Sequence, residues 1–562
     1  MLSSVDFFRQ YTFSVNIEHP DLGAIGRAEL KFGNGSLAHV EFEEITSIIR
    51  LGDQSSHRKL VATTPGGDIF TLFDCKCTVF SVFANFVFTG EIEEKFNINK
   101  IKIKYHELSE WFFQHQSLSG DLGKSIEWKN PPEHIKVSVK TEKERLRITS
   151  DPEFNSKTSG PLITISENVL FTIETLDDSF SLDDLREKPI EFSSLLSILI
   201  AQPLSISAIH IVDRNGVHAY AYFPSFKIQG DEKQEGISWT KCLVRKVVLD
   251  GKWQEVIENY YKSDYRKVTW RRLAGMQRYE GFWEYKIFGY VSILDYYVSQ
   301  LSKRQKFPKV TEQKLTQKDI NKVIKAISES TSEKQQELIA RELKKLEQVK
   351  VELYFSSKFN KAISTTDQDI VKIIDLSDDD FTLIKQTRDK IAHGNELSLK
   401  DGDFQIIHAL INKIALLLTY WAFIDFGLSK DDFVSALRMT HNPLRLGAQL
   451  NSMELARVTK TAKFFTISKR QFQEISSIKG ISHGACFNEL KNGDFEFSEA
   501  RTKMYRDWMR NTAKHSGVFS HEDIFRVEQG SVNYANEAYA LCDSDSLELH
   551  SAFFFARNRV DE

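Results

Sequence analysis

The chain has 562 residues, of which 41% are hydrophobic and 27% charged, and its formal net charge is −4. This length exceeds what one hydrophobic core supports and predicts about two to four domains, and the ordinary apolar content excludes a disordered chain. A net charge near neutrality excludes nucleic-acid binding through an overall basic field, so any such contact must come from local patches.

Residues 1–240 have the pattern of short β-strands. Apolar residues alternate with polar ones over residues 28–32, and the alternation resumes after a Gly-Asn-Gly turn at residues 33–35, as in a β-hairpin. Many short strands separated by turns are typical of a sandwich or a barrel, and we expect a sandwich-like domain that acts as a sensor or regulator. One helix is expected inside it, near residues 192–202.

Helical periodicity replaces this alternation in the next part of the chain. Apolar residues recur at intervals of three and four over residues 253–261 and 264–303, and again over 378–393 and 403–427. The last of these predicted helices is the most apolar. The pattern predicts a helical bundle over residues 250–435.

Two further regions complete the predicted organisation. Residues 303–350 are rich in Lys, Glu and Gln, and the part at 331–351 is expected to be a solvated helix or a helical hairpin. Residues 436–562 have a mixed pattern and are expected to form a mainly helical extension. The sequence therefore predicts an α+β multidomain protein with a β-rich N-terminal domain, a helical bundle and a C-terminal extension.

The cysteines and the apolar stretches bear on the compartment. Five cysteines are scattered along the chain, which argues against a disulfide framework and favours a reducing environment. Cys75 and Cys77 would share one face of a strand, where two buried thiols are more common than a metal site. Because the N-terminus lacks the pattern of a secretory signal and polar residues interrupt the apolar stretch at 410–426, a cytoplasmic protein without membrane contact is expected.

The candidate site is the heptapeptide Arg-Asp-Lys-Ile-Ala-His-Gly at residues 388–394. On a helix, Phe381, Ile384, Arg388 and Ile391 fall on one stripe. An arginine on an apolar stripe is unusual, because a guanidinium that leaves water needs a partner. Arg388 is therefore a candidate functional residue.

Asp389 and His393 are predicted to act together. They are four residues apart, so on a helix the carboxylate is expected to meet and orient the imidazole. Gly394 is a natural C-terminal stop, which places His393 in the last turn. The alternative is an ordinary surface Asp–His pair beside an arginine that binds a neighbouring carboxylate.

These residue types suit RNA cleavage by transesterification. A base takes the proton of the ribose 2′-OH, and the oxygen attacks the neighbouring phosphate. His393 fits the base, or equally the acid, and the fork of the Arg388 guanidinium fits the oxygens of the charged phosphorane. This chemistry needs neither a metal nor another cofactor.

The spacing is not specific, because the chain contains it twice. Arg510 and His515 are also five residues apart, and a polar residue, Asn511, follows the arginine. This rival motif follows a basic amphipathic stretch at residues 501–509, whose simpler interpretation is a solvated helix or one that contacts an RNA backbone. The first motif is preferred because it follows an apolar helical stripe and precedes a strongly apolar helix.

The string at residues 387–394 resembles the signature of HEPN-domain ribonucleases, which is Arg, then Asn, Asp or His, three further residues and His. In that family an early helix often carries an acidic residue that faces the site, and Glu284 or Asp295 is the matching candidate. The resemblance covers roughly residues 265–430. A β-rich domain before such a bundle also resembles the ApeA-type anti-phage proteins.

The resemblance implies a homodimer in which both Arg–His pairs face one cleft. It also implies cleavage of cellular RNA, with tRNA as the expected substrate, and a phage protein as a candidate trigger. The leading hypothesis is therefore a metal-independent endoribonuclease toxin of bacterial abortive infection. One alternative is a HEPN-type protein that dimerises or holds a nucleotide without cleaving. Another is a ligand-binding β-sandwich protein whose helical half only dimerises.

Overall fold

The computed structural model describes most of the chain. The described ranges are 4–44, 56–78, 81–93, 97–113, 118–121, 124–128, 132–226, 238–305, 354–395, 403–490, 492–511 and 520–556, with shorter pieces at 47, 49, 51, 310–312, 321–323, 325, 332–345 and 349–351. The chain divides into two compact units. The first comprises Met1–Asp367 and Leu376–Gln449, and the second comprises Gln368–Asp375 and Leu450–Glu562.

The N-terminal part of the first unit is built on one large antiparallel sheet. Its strands are β1 (Gln10–His19), β2 (Gly23–Gly33), β3 (Ser36–Phe42), β4 (Ser56–Thr63), β5 (Ile69–Cys77), β6 (Ser81–Thr89), β7 (Ile98–Tyr105), β10 (Lys136–Lys140), β11 (Arg145–Ser159), β12 (Leu162–Thr175), β13 (Ile206–Asp213) and β14 (His218–Tyr222). Two short strands, β8 (Leu118–Gly120) and β9 (Ile126–Trp128), pair separately. The predicted β-rich N-terminal domain is confirmed.

The sheet closes on itself instead of forming a sandwich. Its order is β10-β11-β12-β7-β13-β14-β6-β3-β2-β1-β4-β5, and β5 also pairs with β6, so six strands form a barrel. The expected sandwich-like arrangement is thus corrected to a barrel with an open extension. Alternation with a period of two is the same in both architectures, so the sequence pattern could not choose between them.

In this domain the hairpin was predicted more accurately than the helix. The predicted hairpin is β2–β3, and its turn has a positive φ at Asn34 and at Gly35, which these residue types tolerate. The predicted helix near residues 192–202 is Leu182–Ile200, which starts ten residues earlier at a Ser181–Asp184 capping box. Its first turns are charged and carry Pro189, so apolar periodicity found only the buried C-terminal half. A shorter helix, Leu108–Phe113, also packs in this domain.

The remainder of the first unit is mostly helical. Its helices are the 3₁₀ turn Trp239–Lys241, Lys246–Leu249, Trp253–Lys262, the π-helical turn Arg266–Trp270, Arg271–Gln277, Trp283–Arg304, Glu333–Lys345, Phe355–Thr365, Asp378–Ala392, Asp403–Asp425, Lys430–Met439 and Pro443–Gly447. The single helix expected at 264–303 is broken before Trp283, where Gly281 lies in the connection. Two short strands, β15 (Val310–Glu312) and β16 (Val349–Val351), pair in the charged segment, and β16 lies at the end of the part that was expected to be a helix or a helical hairpin. The helix Glu333–Lys345 lies in the same charged segment, and most of the segment's other residues lie outside the described ones.

The core of the bundle is the helix Asp403–Asp425, in which sixteen residues are buried. Within the described residues it alone is long and apolar enough to span a membrane, and 89% of its most apolar window is buried inside the protein. That burial is the one expected for the core helix of a bundle. Cys75 and Cys77 are both buried in β5, as predicted.

A buried ion cluster joins the β domain to the start of the bundle. Lys188 on Leu182–Ile200 contacts Glu144 of the β10–β11 turn and lies 3.5 Å from Glu191. Arg266, in the π-helical turn, lies 3.4 Å from Glu144 and 3.7 Å from Glu191. All four side chains are at most 18% exposed, so two cations and two anions neutralise one another away from water.

The second unit mixes helices and strands. Its helices are Gln368–Ile374, Ser452–Thr459, Lys469–Ser477, Glu499–Arg510 and His521–Phe525, and its strands are β17 (Lys463–Thr466), β18 (His483–Glu489), β19 (Phe495–Phe497), β20 (Val532–Ala535), β21 (Ala538–Cys542), β22 (Asp545–Leu549) and β23 (Ser551–Phe555). The strands form two sheets, β17-β21-β22 and β19-β18-β23-β20. The expectation of a mainly helical extension is corrected. Strands such as β23 are buried at every residue, so they lack the alternation that identifies a strand.

Candidate functional site

The helix Asp378–Ala392, here called the Arg388 helix, is fixed at its start and along one face. Ser377 and Asp380 form a capping box at its N-terminus. Phe381 and Ile384 are buried as predicted, and the Phe381 ring stacks on Phe359 with centroids 4.1 Å apart. This packing sets the rotation of the helix and therefore the direction in which Arg388 leaves it.

Arg388 lies between two carboxylates. Its Nη1 donates to Asp389 Oδ1 at 2.8 Å, and its Nη2 donates to Asp295 Oδ2 at 3.2 Å. Asp295 belongs to Trp283–Arg304, here called the Asp295 helix, so the second bond joins two helices of the bundle. The Arg388 side chain is 28% exposed, and its buried Nε has no hydrogen-bond partner among the described residues. The guanidinium is thus fixed through one N–H on each Nη atom, and the second N–H on each of these atoms has no hydrogen bond to a described residue.

His393 ends the Arg388 helix and is exposed. Gly394 has a φ of +68°, and its N–H and that of Asn395 donate to the carbonyls of Ile391 and Lys390. This is the six-to-one and five-to-two pattern of a Schellman stop, for which glycine is the favoured residue. The predicted helix end is confirmed, and it presents the imidazole at the negative end of the helix dipole.

The expected contact between the Asp389 carboxylate and His393 is not present in the described structure. Only the backbone joins them, through the His393 N–H and the Asp389 carbonyl at 3.1 Å. The carboxylate turns instead to the neighbouring Arg388 guanidinium, with which it forms a charge-assisted bond. The sequence alternative of an arginine that binds a neighbouring carboxylate describes this part of the geometry.

Of the two candidate acids on the Asp295 helix, the structure brings only Asp295 to Arg388. Glu284 is eleven residues earlier, about 16 Å along the axis, and its buried Oε2 has no partner in the described part of the chain. Two residues that the sequence did not indicate extend the contact network. Ser299 Oγ lies 3.4 Å from Asp295 Oδ1, and Lys358 Nζ lies 3.3 Å from Ser299 Oγ. Asp295 and Ser299 are four residues apart on one helix, so the sequence could have indicated their contact. No pattern in the sequence indicated Lys358.

The rival motif lies in the second unit, at the end of the helix Glu499–Arg510. The Arg510 side chain is 72% exposed and lies 3.8 Å from Asp507. Asn511 Nδ2 donates to the Asp507 carbonyl, whereas His515 lies outside the described residues. Arg510 thus lacks the close two-carboxylate setting of Arg388. Within the described residues, no group of three or more His, Cys, Asp or Glu side chains lies close enough to hold a metal ion.

Two family models match this chain. The model described as ApeA N-terminal domain 1 matches residues 19–260, and the model described as Apea-like HEPN matches residues 288–432. The second match contains Asp295, Arg388 and His393, and both matches end before the second unit's main segment. Neither the search of curated proteins nor the search of solved structures gave a match.

Proposed function

Because this chain is an ApeA-like HEPN protein of anti-phage defence, we propose that it is a metal-independent endoribonuclease that acts through Arg388 and His393. One observation carries the proposal. A partly exposed arginine is held by carboxylates from two helices, and a histidine is presented at the end of the same helix. That pair supplies a cation for phosphate oxygens and a group that exchanges protons.

The proposed reaction is an in-line transesterification. His393 takes the proton of the ribose 2′-OH as the 2′-oxygen bonds to phosphorus, and the bond from phosphorus to the 5′-oxygen breaks. A second proton donor, which His393 of another chain would supply, neutralises the leaving 5′-oxygen. Arg388 stabilises the charge on the non-bridging oxygens through its free N–H groups. The products are a 2′,3′-cyclic phosphate and a 5′-hydroxyl, and no metal takes part.

Helix geometry supports a site shared by two copies of the chain. Five residues correspond to about 140° around an α-helix, so Arg388 and His393 do not leave one face in the same direction. A homodimer in which two copies of the Arg388 helix face one cleft would bring an arginine and a histidine to one phosphate. HEPN domains typically dimerise and bind RNA, which agrees with this arrangement.

The same proposal includes the substrate and the control of the enzyme. We assign cellular RNA, and tRNA in particular, as the substrate, with the β domain as the sensor of an infection signal such as a phage protein. The expected setting is the bacterial cytoplasm. The boundaries that go with these roles are 1–240 for the sensor, 250–435 for the nuclease bundle and 436–562 for the extension.

The second candidate function is a HEPN-type module that dimerises or holds a nucleotide without cleavage. The two carboxylates on Arg388 favour it, because they already neutralise the guanidinium that catalysis needs. In that case the Arg388 cluster would be a structural link between two helices.

Cleavage of purified tRNA by matched variants separates the two functions. With wild-type chain purified from phage-infected cells, we expect Arg388→Ala and His393→Ala each to lower the rate at least about 100-fold, since one loses the charge stabilisation and the other the proton transfer. Arg470→Ala, which removes an exposed arginine outside both motifs, should cleave like wild type.

Intact tRNA with the wild-type chain would contradict the nuclease proposal and favour the binding module. Undiminished cleavage by both Arg388→Ala and His393→Ala would move the active site to the rival motif, where Arg510→Ala and His515→Ala are the next variants.

A further inference from the structure

The second unit contains a surface cavity of about 460 Å³ that neither family model covers. Its lining includes His483, Tyr505, Arg506, Arg510, Tyr534 and His550. They come from the helix Glu499–Arg510 and from strands or strand ends of the β19-β18-β23-β20 sheet. This cavity therefore includes the arginine of the rival motif, which the proposed active site does not use.

The aromatic part of the cavity is held in place by the backbone. Gly484 has a φ of +83°, and a Cβ there would meet the Tyr505 ring at 2.2 Å, so the ring lies directly on the strand. Tyr505 and Tyr534 both pack on Phe553, with centroids 4.6 and 5.1 Å apart. Tyr534 also packs on the His521 ring, with centroids 4.8 Å apart, and remains 42% exposed, so neighbouring rings support a tyrosine that is still partly open to solvent. Such a supported ring is a platform on which a nucleobase can stack.

The polar part of the cavity is rich in donors. The described lining has two arginines and two histidines and no carboxylate. Arg506 is positioned by a 2.7 Å bond from Nη2 to the Lys479 carbonyl, whereas Arg510 is 72% exposed with a distant partner at 3.8 Å. Both guanidinium groups keep free N–H donors for an anion.

The two imidazoles add to this donor set. Their ring centroids are 5.1 Å apart. His483 Nδ1 lies 3.0 Å from Ser482 Oγ, and His550 Nδ1 lies 3.7 Å from Glu548. Each ring thus uses Nδ1 toward a neighbour, and neither Nε2 bonds to a described residue. Aromatic platforms beside a cluster of arginines and imidazoles match the alternating bases and phosphates of a single strand.

We propose that this cavity binds a single-stranded segment of RNA, with a base on Tyr534 and phosphates on Arg506 and Arg510. The proposal rests on RNA being the substrate of the Arg388–His393 site, and it gives the second unit the role of holding that substrate. Binding by the cavity can be measured with a chain that does not cleave RNA, so the two proposals can fail separately.

Binding is measured by fluorescence anisotropy with a labelled single-stranded RNA of about twelve nucleotides. The protein is the full chain with His393→Ala, which keeps the RNA intact. Tyr534→Ala should weaken binding about tenfold without changing its salt dependence, because a stacked base carries no charge contact. The double change Arg506→Gln with Arg510→Gln should weaken binding and lower the slope of log affinity against log salt by about 1.4, since each single-strand phosphate contributes about 0.7.

The matched control removes two positive charges elsewhere in the same unit, with Lys469→Gln and Arg470→Gln on the exposed start of Lys469–Ser477. It should bind RNA like the parent chain. Arg510→Gln and Tyr534→Ala alter exposed side chains, so they keep the test decisive if Arg506→Gln unfolds the unit. Equal losses in the control, normal binding by Tyr534→Ala or by the double arginine variant, or displacement of the RNA by a polyglutamate of equal charge would each overturn the proposal.

Discussion

At the scale of single residues, the position of the Arg388 guanidinium is set by two carboxylates. Its carboxylate partners come from the next residue and from another helix, and the contacts are 2.8 and 3.2 Å long. A group that must meet a phosphate gains from this restraint, because a guanidinium that is already oriented loses less freedom on binding. Asp295 is therefore a positioning residue, which acts on the RNA only through Arg388.

Replacement of Asp295 tests that role. Asp295→Asn keeps the size of the side chain and removes its charge, so we expect the cleavage rate to fall about tenfold to a hundredfold as Arg388 loses its orientation. Because the pair is about 30% exposed, stability should change by less than about 1 kcal/mol. The readouts are single-turnover cleavage and urea unfolding.

Glu284→Gln is the control, since it changes a carboxylate on the same helix that does not contact Arg388. A similar loss of rate in this control, or full activity in Asp295→Asn, would mean that Asp295 does not position the arginine.

Residue identities gave only part of this geometry. The apolar stripe and the glycine stop were predictable, because periodicity and a left-handed residue at a helix end are local properties. The partner of Asp389 was not predictable, because two basic side chains, those of Arg388 and His393, compete for one carboxylate. The sequence offered two candidate acids for the site, and only the packing of two helices selects Asp295 over Glu284.

At the scale of elements, the end of the core helix is tied to the π-helical turn. Asp425 Oδ2 accepts hydrogen bonds from Ser263 Oγ and from Trp270 Nε1, the latter at 2.7 Å. Burial is the largest influence on this carboxyl and raises its pKa above the usual value. The folded chain therefore binds this proton more tightly than the unfolded chain does, and the contribution of Asp425 to stability falls as the pH rises from its unfolded pKa, near 4, through its raised folded pKa.

The variant Asp425→Asn should show this dependence. An amide oxygen can accept the same two bonds and never ionises, so the variant should gain stability relative to wild type at pH 7 and lose that gain near pH 4. The measurement is the free energy of unfolding in urea at both pH values. A difference that does not change with pH would contradict the assignment.

Two helices of the bundle were predicted accurately. The Arg388 helix and the core helix were placed within two residues at each end. The break before Trp283 was missed, because the apolar periodicity continues on both sides of it. The strands β15 and β16 were missed because a short pair in a charged segment has no alternation to detect.

At the scale of the whole molecule, the buried ion cluster is one of the links within the first unit between the β domain and the bundle. Arg266 is 10% exposed and faces Glu144 and Glu191, and its guanidinium lies over the Tyr261 ring. Removal of Arg266 would leave the two buried carboxylates with Lys188 as their only cation in the cluster, and a buried charge without a partner is strongly destabilising.

Arg266→Ala should therefore lower the free energy of unfolding by about 3 kcal/mol or more. Arg271→Ala is the matched control, because its bond to Glu187 is between side chains 43% and 35% exposed and should contribute less than about 1 kcal/mol. Urea unfolding of both variants provides the comparison. Equal effects of the two changes would show that burial of the cluster has no energetic consequence.

The order of domains was readable from periodicity, which changes from two to between three and four near residue 250. Closure of the barrel could not be predicted from periodicity, because it depends on the pairing of β5 with β6 and not on the composition of either strand. The second unit was misjudged because its strands are short and some of them, such as β23, are buried on both faces, which leaves no period.

The most direct test of the central claim is the chemistry of new RNA ends in cells infected by phage. Cells that express the wild-type chain should accumulate RNA fragments with 2′,3′-cyclic phosphate and 5′-hydroxyl ends at defined positions, and cells that express His393→Ala should not. If the wild-type chain yields no such ends, or if His393→Ala yields the same ones, the assignment of RNA cleavage to Arg388 and His393 is wrong.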